Sequence, residues 1–107
     1  MEQKRALFRV RINKVGQISH GSDVASCEVT DLTEKGTGLK SELALATGDE
    51  VTLDFDLTPQ CHIHCKLQIV KSSAPSAGGV FTTIAPEQHR AIMRFIEQQH
   101  ADNVVAY

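Results

Sequence analysis

The residues whose types and spacing could do chemistry fall in a few short stretches. Cys61-His62-Ile63-His64-Cys65 carries the side chains of a zinc site. Tetrahedral zinc needs ligands that converge on one point. On a strand, however, Cys61 and Cys65 share the face of Ile63 while His62 and His64 point the other way. The cysteines therefore read as small apolar residues and the histidines as solvent-facing ones. Asp54 and Asp56 share a strand face as paired carboxylates do, but alternating acids also describe a solvated face. Cys27, Cys61 and Cys65 fall on core-facing positions, no serine sits in a G-x-S-x-G turn, and there is no glycine-rich phosphate loop. The chain is expected to be no enzyme, with no metal and no cofactor.

Two other stretches are chemically complementary. Lys4-Arg5-Ala6-Leu7-Phe8-Arg9 contains R-x-x-x-R, and Asp31-Leu32-Thr33-Glu34-Lys35-Gly36 reads D-x-T-x-x-G. Arg5 and Arg9 are separated by up to about 14 Å of extended chain, enough to pass around a small anionic ligand. Arginine's planar fork binds phosphate, or guanine O6 and N7, in bidentate fashion. Its flat face stacks on a base as lysine's ammonium does not. The Asp31 carboxylate accepts two hydrogen bonds, matching the N1–H and N2 amino donors of guanine. Adenine presents an acceptor at N1 and is selected against. Thr33 adds a hydroxyl, and Gly36 lets the backbone approach closely. On spacing alone, this ligand site competes with a solvated basic arm followed by an ordinary turn.

The elements that must position these groups are mostly strands. Phe8, Val10 and Ile12 alternate with Arg9, Arg11 and Asn13, the period of a half-buried strand. The pattern slips near Lys14-Val15-Gly16, where a bulge is expected. His20 to Asp23 reads as a hairpin turn, followed by a strand over about 24–32 with Ala25, Cys27 and Val29 on one face. Asp31 to Gly38 is the next break, with Gly36 and Gly38 free to take positive φ, and a short strand follows over 39–41. Val51, Leu53, Phe55 and Leu57 mark another strand, and Ile63, Cys65, Leu67 and Ile69 one more, ending near Lys71. Residues 72–79 read as a loose loop, and 79–84 as a last strand. Pro86 suits a first helical position and Glu87 the positive end of a helix dipole. Ile92, Met93 and Ile96, flanked by His89 and Phe95, form an apolar stripe, and the helix is expected to end near His100. The expected fold is mainly β: a six-stranded antiparallel β-barrel with one C-terminal α-helix over an open end or side.

Composition narrows the function classes. The chain of 107 residues is one domain by length, 41% hydrophobic and 22% charged, with a net charge of −2. That balance argues against sequence-independent binding to DNA or RNA, which needs a broad basic face. The cations are instead local: Lys4, Arg5, Arg9, Arg11 and Lys14 precede position 15, with Glu2 the only acid among them. Aromatics are too few, and too core-like in pattern at Phe8, Phe55, Phe81 and Phe95, for a single-strand stacking platform. No segment approaches the roughly 20 apolar residues that span a bilayer, so no membrane insertion is expected. The absence of a signal-peptide pattern and an odd cysteine count point to a cytoplasmic location. Residues 1–9 are expected to form a flexible basic arm and 101–107 a frayed tail.

R-x-x-x-R at the mouth of a β-barrel, followed some way on by [D/N]-x-[S/T]-x-x-G, resembles the PilZ domain family. The likeness runs through Val29-Thr30-Asp31-Leu32-Thr33, the exit at Gly36-Thr37-Gly38-Leu39, the strand entry Gly48-Asp49-Glu50-Val51, Gly79-Val80-Phe81 and the closing helix. The resemblance implies a split-barrel fold and a non-enzymatic receptor for the bacterial second messenger cyclic di-GMP. It assigns Arg5 and Arg9 to the phosphates and guanine faces, Asp31 and Thr33 to guanine edges, and Gly36 to the shape of the loop. Lys4 stands where many members carry a second arginine, a position tied to binding one ligand or an intercalated pair. The implied output is a conformational change read by a downstream protein, in motility, pilus, biofilm or exopolysaccharide regulation. The alternative is a PilZ-like interaction adaptor that binds no nucleotide.

Overall fold

The computed structural model describes residues 9–105, with 100–105 described by backbone alone; Lys4, Arg5 and Phe8 lie outside the described residues. The alternating segments form β1 (Val10–His20), β2 (Asp23–Leu32), β3 (Gly36–Ser41), β4 (Glu50–Thr58), β5 (Cys61–Ser73) and β6 (Ser76–Ile84), followed by α1 (Pro86–Val105). All pairings are antiparallel, and the sheet closes as a barrel in the order β1-β2-β3-β6-β5-β4, with β4 returning to β1. Residues 42–49 carry the chain from β3, between β2 and β6, to β4, between β1 and β5. Closure gives every described strand a partner on both sides, which shortens the edges open to aggregation.

Period-two patterning places one face of β1 to β5 in the core, and β6 adds the partly buried Ala77, Phe81 and Ile84. Ile18, Val29, Leu39, Leu53, Phe55, Ile63, Leu67 and Ile69 are each at most 2% exposed. Ile92 and Ile96 of α1 join the same cluster, and α1 packs on β5 and β1. The helix starts where Ala85 O accepts the N–H groups of Gln88 and His89, and Gln88 Oε1 accepts the amide of His64 on β5 at 2.8 Å. A fully buried branched aliphatic is worth about 1.5–3 kcal/mol, so this shared interior holds the fold.

The structure departs from the sequence expectation at several points. The stretch 72–79 is not a loose loop: β5 runs to Ser73 and β6 begins at Ser76, leaving only Ala74 and Pro75 between them. One of its glycines serves close strand packing. A Cβ on Gly79 would meet Leu67 Cβ at 3.1 Å and Gln68 O at 3.0 Å. Gly36 and Gly38 are likewise strand residues, and β3 begins three positions earlier than expected. Among the described residues, positive φ occurs at Gly21 and Gly48 instead. The helix continues past His100 to Val105. Phe81 and Phe95 are only partly buried, packed on the rim of the core.

Alternation also breaks by single residues. In β2, Cys27 and Val29 face inward, yet so does Leu32. The β2–β3 register shifts between Val29 and Asp31, and the β1–β2 register between Arg11 and Lys14. The first shift is a bulge at Thr30, which turns both Thr30 and Asp31 to the outer surface. In β5 the register against β6 shifts between Ile69 and Lys71, so Val70 and Lys71 are both turned outward after the inward run Ile63, Cys65, Leu67 and Ile69. Without its bulge, strict alternation would drive Asp31 into the core.

Candidate ligand-binding site

The two bulges face each other across a floor of glycine. Asp31 pairs with Arg11 of β1 and Gly38 of β3; Gly38 pairs with Gly78 of β6, and Gly78 with Lys71 of β5. Three strand spacings, about 14 Å, separate the Asp31 and Lys71 backbones. The glycines leave the middle of this row without side chains. A Cβ on Gly38 would fall 2.0 Å from Asp31 Oδ1, so glycine there is what lets the carboxylate lie over β3. Gly78 has open space above it. The result is an open hollow of about 420 Å³, lined by Arg9, Thr30, Asp31, Gly38, Gly78 and Lys71 among others. The same residues, apart from Thr30, also border an adjoining recess of about 240 Å³ that reaches Thr33, Lys35 and Val70. The hollow has the volume of a small-ligand site.

Arg9 and Asp31, from different halves of the sequence motif, meet directly. Arg9 Nε donates to Asp31 Oδ2 in an ion pair, and Thr30 Oγ1 donates to Oδ1 at 2.9 Å. Asp31 is 13% exposed and Arg9 74%, so the carboxylate is fixed while the guanidinium lies largely in water. An ion pair this exposed contributes at most about 1 kcal/mol and is readily exchanged for a ligand. Arg5 and Lys4, the remaining basic members of the expected site, fall outside the described residues.

The turn after Asp31 is closed by Thr33. Its Oγ1 accepts the N–H of Lys35 at 3.2 Å and of Gly36 at 3.1 Å, and Thr33 N donates to Gly36 O at 2.9 Å. The hydroxyl expected to meet a ligand is thus engaged inside the loop, where it acts as a side-chain turn. Gly36 ends the loop and begins β3. A Cβ there would lie 1.9 Å from Gly79 O, so Gly36 serves the close approach of β3 to β6 under the loop.

Thr37 and Gly38 support the site without having been singled out as members of it. Thr37, 5% exposed, donates from Oγ1 to Asp31 O at 2.6 Å and pins the bulged backbone. The G-T-G spacing at 36–38 was the visible signal, but the Asp31–Gly38 contact depends on register. The loop is also tied to the helix. His89 Nε2 donates to Glu34 O at 2.8 Å, which sets the tautomer, and Phe81 N donates to Lys35 O at 2.8 Å. The Phe81 and His89 rings meet edge to face, with centroids 6.3 Å apart.

The cysteine–histidine stretch is divided as alternation requires. Cys65 is buried, whereas His62 and His64 lie outside and hydrogen-bond Asp54 and Asp56 across the β4–β5 pair. Among the described residues no group of three or more His, Cys, Asp or Glu is placed to hold a metal ion. Burial pushes the Cys27 thiol up to about 11 and the Cys65 thiol up to about 12, the opposite of an activated nucleophile.

Comparison with known proteins places this arrangement in a family. The profile of the PilZ domain matches residues 3–98. The chain belongs to the PilZ domain family. No curated protein sequence matches it, but solved PilZ structures share the fold. The PilZ domain of Escherichia coli YcgR with c-di-GMP superposes with a TM-score of 0.73 at 18% identity, over 98% of this chain and 100% of that one. Bacillus subtilis MotI/DgrA, an inhibitor of motility, superposes with a TM-score of 0.78 at 12% identity, covering 94% of this chain. This PilZ chain spans about half (53%) of that protein's length. The PilZ domain of CeSA from a cellulose-synthesizing bacterium follows with a TM-score of 0.68 at 14% identity.

Proposed function

We propose that this PilZ protein is a non-enzymatic receptor for cyclic di-GMP. The observation that carries the reading is the Arg9–Asp31 pair at the rim of a glycine-floored hollow, which unites the two halves of the R-x-x-x-R and D-x-T-x-x-G signature. Arg9, with Arg5 and Lys4 ahead of it, supplies guanidinium forks and charge to phosphates, and arginine faces to guanine. Asp31 accepts from the N1–H and N2 amino groups of guanine. Thr33 and Gly36 keep the loop in the shape that presents Asp31. Charge-assisted hydrogen bonds of roughly 1.5–3 kcal/mol each, set against the ordering of side chains and arm, place the affinity near micromolar, about −8 kcal/mol.

Binding is relayed through a partner protein. The loop that holds the ligand is hydrogen-bonded to α1 through His89 and to β6 through Phe81. Replacement of the Arg9–Asp31 pair by ligand contacts therefore bears on the helix surface. A cytoplasmic setting and a part in motility or biofilm control fit this reading. The second reading, an adaptor that binds no nucleotide, is favoured only by the likeness to an inhibitor of motility.

Calorimetric titration with cyclic di-GMP, beside GTP and cyclic di-AMP, separates the two. Saturable heat is expected with cyclic di-GMP, much weaker binding with cyclic di-AMP and none with GTP. No heat at high micromolar concentration leaves the adaptor.

A further inference from the structure

The signature accounts for one wall of the hollow; the opposite wall is built by residues outside it. The outward positions of β5 run His62, His64, Lys66 and Gln68, as a solvated strand face should, and then the bulge interrupts them. Val70 and Lys71 both emerge on the outside. Val70 is 52% exposed, one of three large hydrophobic residues so placed among the described residues, and it borders the recess beside Asp31 and Thr33. Lys71 borders both the hollow and the recess, facing Asp31 across Gly38 and Gly78. An apolar shelf next to a cation, opposite a carboxylate that reads base edges, matches a nucleotide's own division into base and phosphate.

We infer that Val70 and Lys71 form the second wall of the nucleotide site. Lys71 donates to a phosphate oxygen on the side of the ligand away from Arg9, and Val70 packs on a guanine face. Gly78 stays unsubstituted at the floor so that the ligand can lie across β3 and β6. This inference rests on the cyclic di-GMP reading above. It adds that a compact diguanylate is gripped from two sides of the barrel surface, not by the arm and loop alone.

The test is calorimetric titration of the full chain and its variants with cyclic di-GMP at two salt concentrations, with melting temperatures as control. Lys71→Ala is expected to weaken binding by about tenfold or more, the loss of one charge-assisted hydrogen bond. It should also flatten the salt dependence, because one screened cation is gone. Lys71→Arg should bind within a few-fold of wild type. Gly78→Val, whose side chain enters open space in a strand that favours valine, should block binding with the melting temperature kept. Lys71→Ala and Val70→Ala proteins that bind as wild type does, with unchanged salt dependence, overturn the second wall and leave the receptor reading standing. A wild-type chain that binds no cyclic di-GMP overturns the receptor reading, and the second wall with it. If Gly78→Val fails to fold, the lysine variants decide alone.

Discussion

Arg9 and Asp31 show how a firmly placed carboxylate can carry a weak ion pair. The carboxylate is positioned by Thr30, by the Thr37 hydroxyl on its own carbonyl and by the absent side chain of Gly38, while the guanidinium is mostly in water. Removing the guanidinium therefore subtracts little stability and, in the proposed receptor, a ligand contact. Arg9→Ala should abolish the heat of cyclic di-GMP binding and shift the melting temperature by no more than about 4–5 °C. An unfolded variant would make Arg9 structural and sink its assigned role. In the proposed receptor, Asp31 carries the selectivity. Asp31→Ala should weaken cyclic di-GMP binding and narrow its advantage over cyclic di-AMP, since only guanine presents the donors that Asp31 accepts. Equal losses for both nucleotides in parallel titrations would remove that role.

At the scale of elements, the strand pair β3–β6 is the part of the scaffold with least room to change. Gly36 lies opposite Val80, and any Cβ there collides with the Gly79 carbonyl, a backbone atom that moves only if the pairing opens. Gly36→Ala should destabilise the barrel by about 1–3 kcal/mol, the range for forced overpacking, read as a lower midpoint in urea unfolding. Unaltered stability would return Gly36 to a purely ligand-shaping part. The β4–β5 pair carries a different feature. His62 lies above its ordinary pKa of 6.5, first through its hydrogen bond to Asp56 and then through that to Asp54. Burial acts to raise Asp54, but hydrogen bonds from His64 and His62 outweigh it and hold the group below its ordinary 3.8. For His62 the folded pKa is raised, so its stabilisation is full below pH 6.5 and is lost as pH rises through the folded value. For Asp54 the folded pKa is lowered, so its share is present above pH 3.8 and is lost as pH falls through the folded value. Both contributions coexist between those limits. NMR titration of the His62 ring should show a raised pKa that drops in Asp56→Asn; no drop would refute the pairing in solution.

For the molecule as a whole, closure of the barrel decides which groups react. Cys27 and Cys65 point into the interior with thiols held well above neutral pH by burial, whereas Cys61 sits half-buried at the start of β5. A native sample at pH 8 should therefore label at Cys61 with a thiol reagent, and at Cys27 and Cys65 only after denaturation. Mass spectrometry of the labelled peptides checks this, and early modification of Cys65 would mean the barrel opens at β5. Closure also lays β3 and β6 side by side. This brings Lys71 within reach of a ligand on Asp31 although the two residues are far apart in sequence.

The sequence by itself determined the strand inventory, the closing helix, the division of Cys61 to Cys65 between two faces, and the signature Arg5, Arg9, Asp31, Thr33 and Gly36. Each of these is local: period-two burial, a helical stripe and residue types at short spacing all act within a few positions. Tertiary structure decided the rest. Whether Asp31 faces outward depends on the Thr30 bulge, which exists only against the registers of β1 and β3. The run of small residues near 72–79 looked like a loop because small residues occur in loops. They are strand here because β5 and β6 pair through Ser73 and Ser76, and of the two glycines only Gly79 is held small by the approach of β5. That the Thr33 hydroxyl closes its own turn, accepting from Lys35 and Gly36, is likewise a tertiary detail. Val70 and Lys71 carried no signal, since an exposed valine and lysine are ordinary until barrel closure sets them across two glycines from Asp31. Local spacing names the residues, and only non-local register says which of them share a surface.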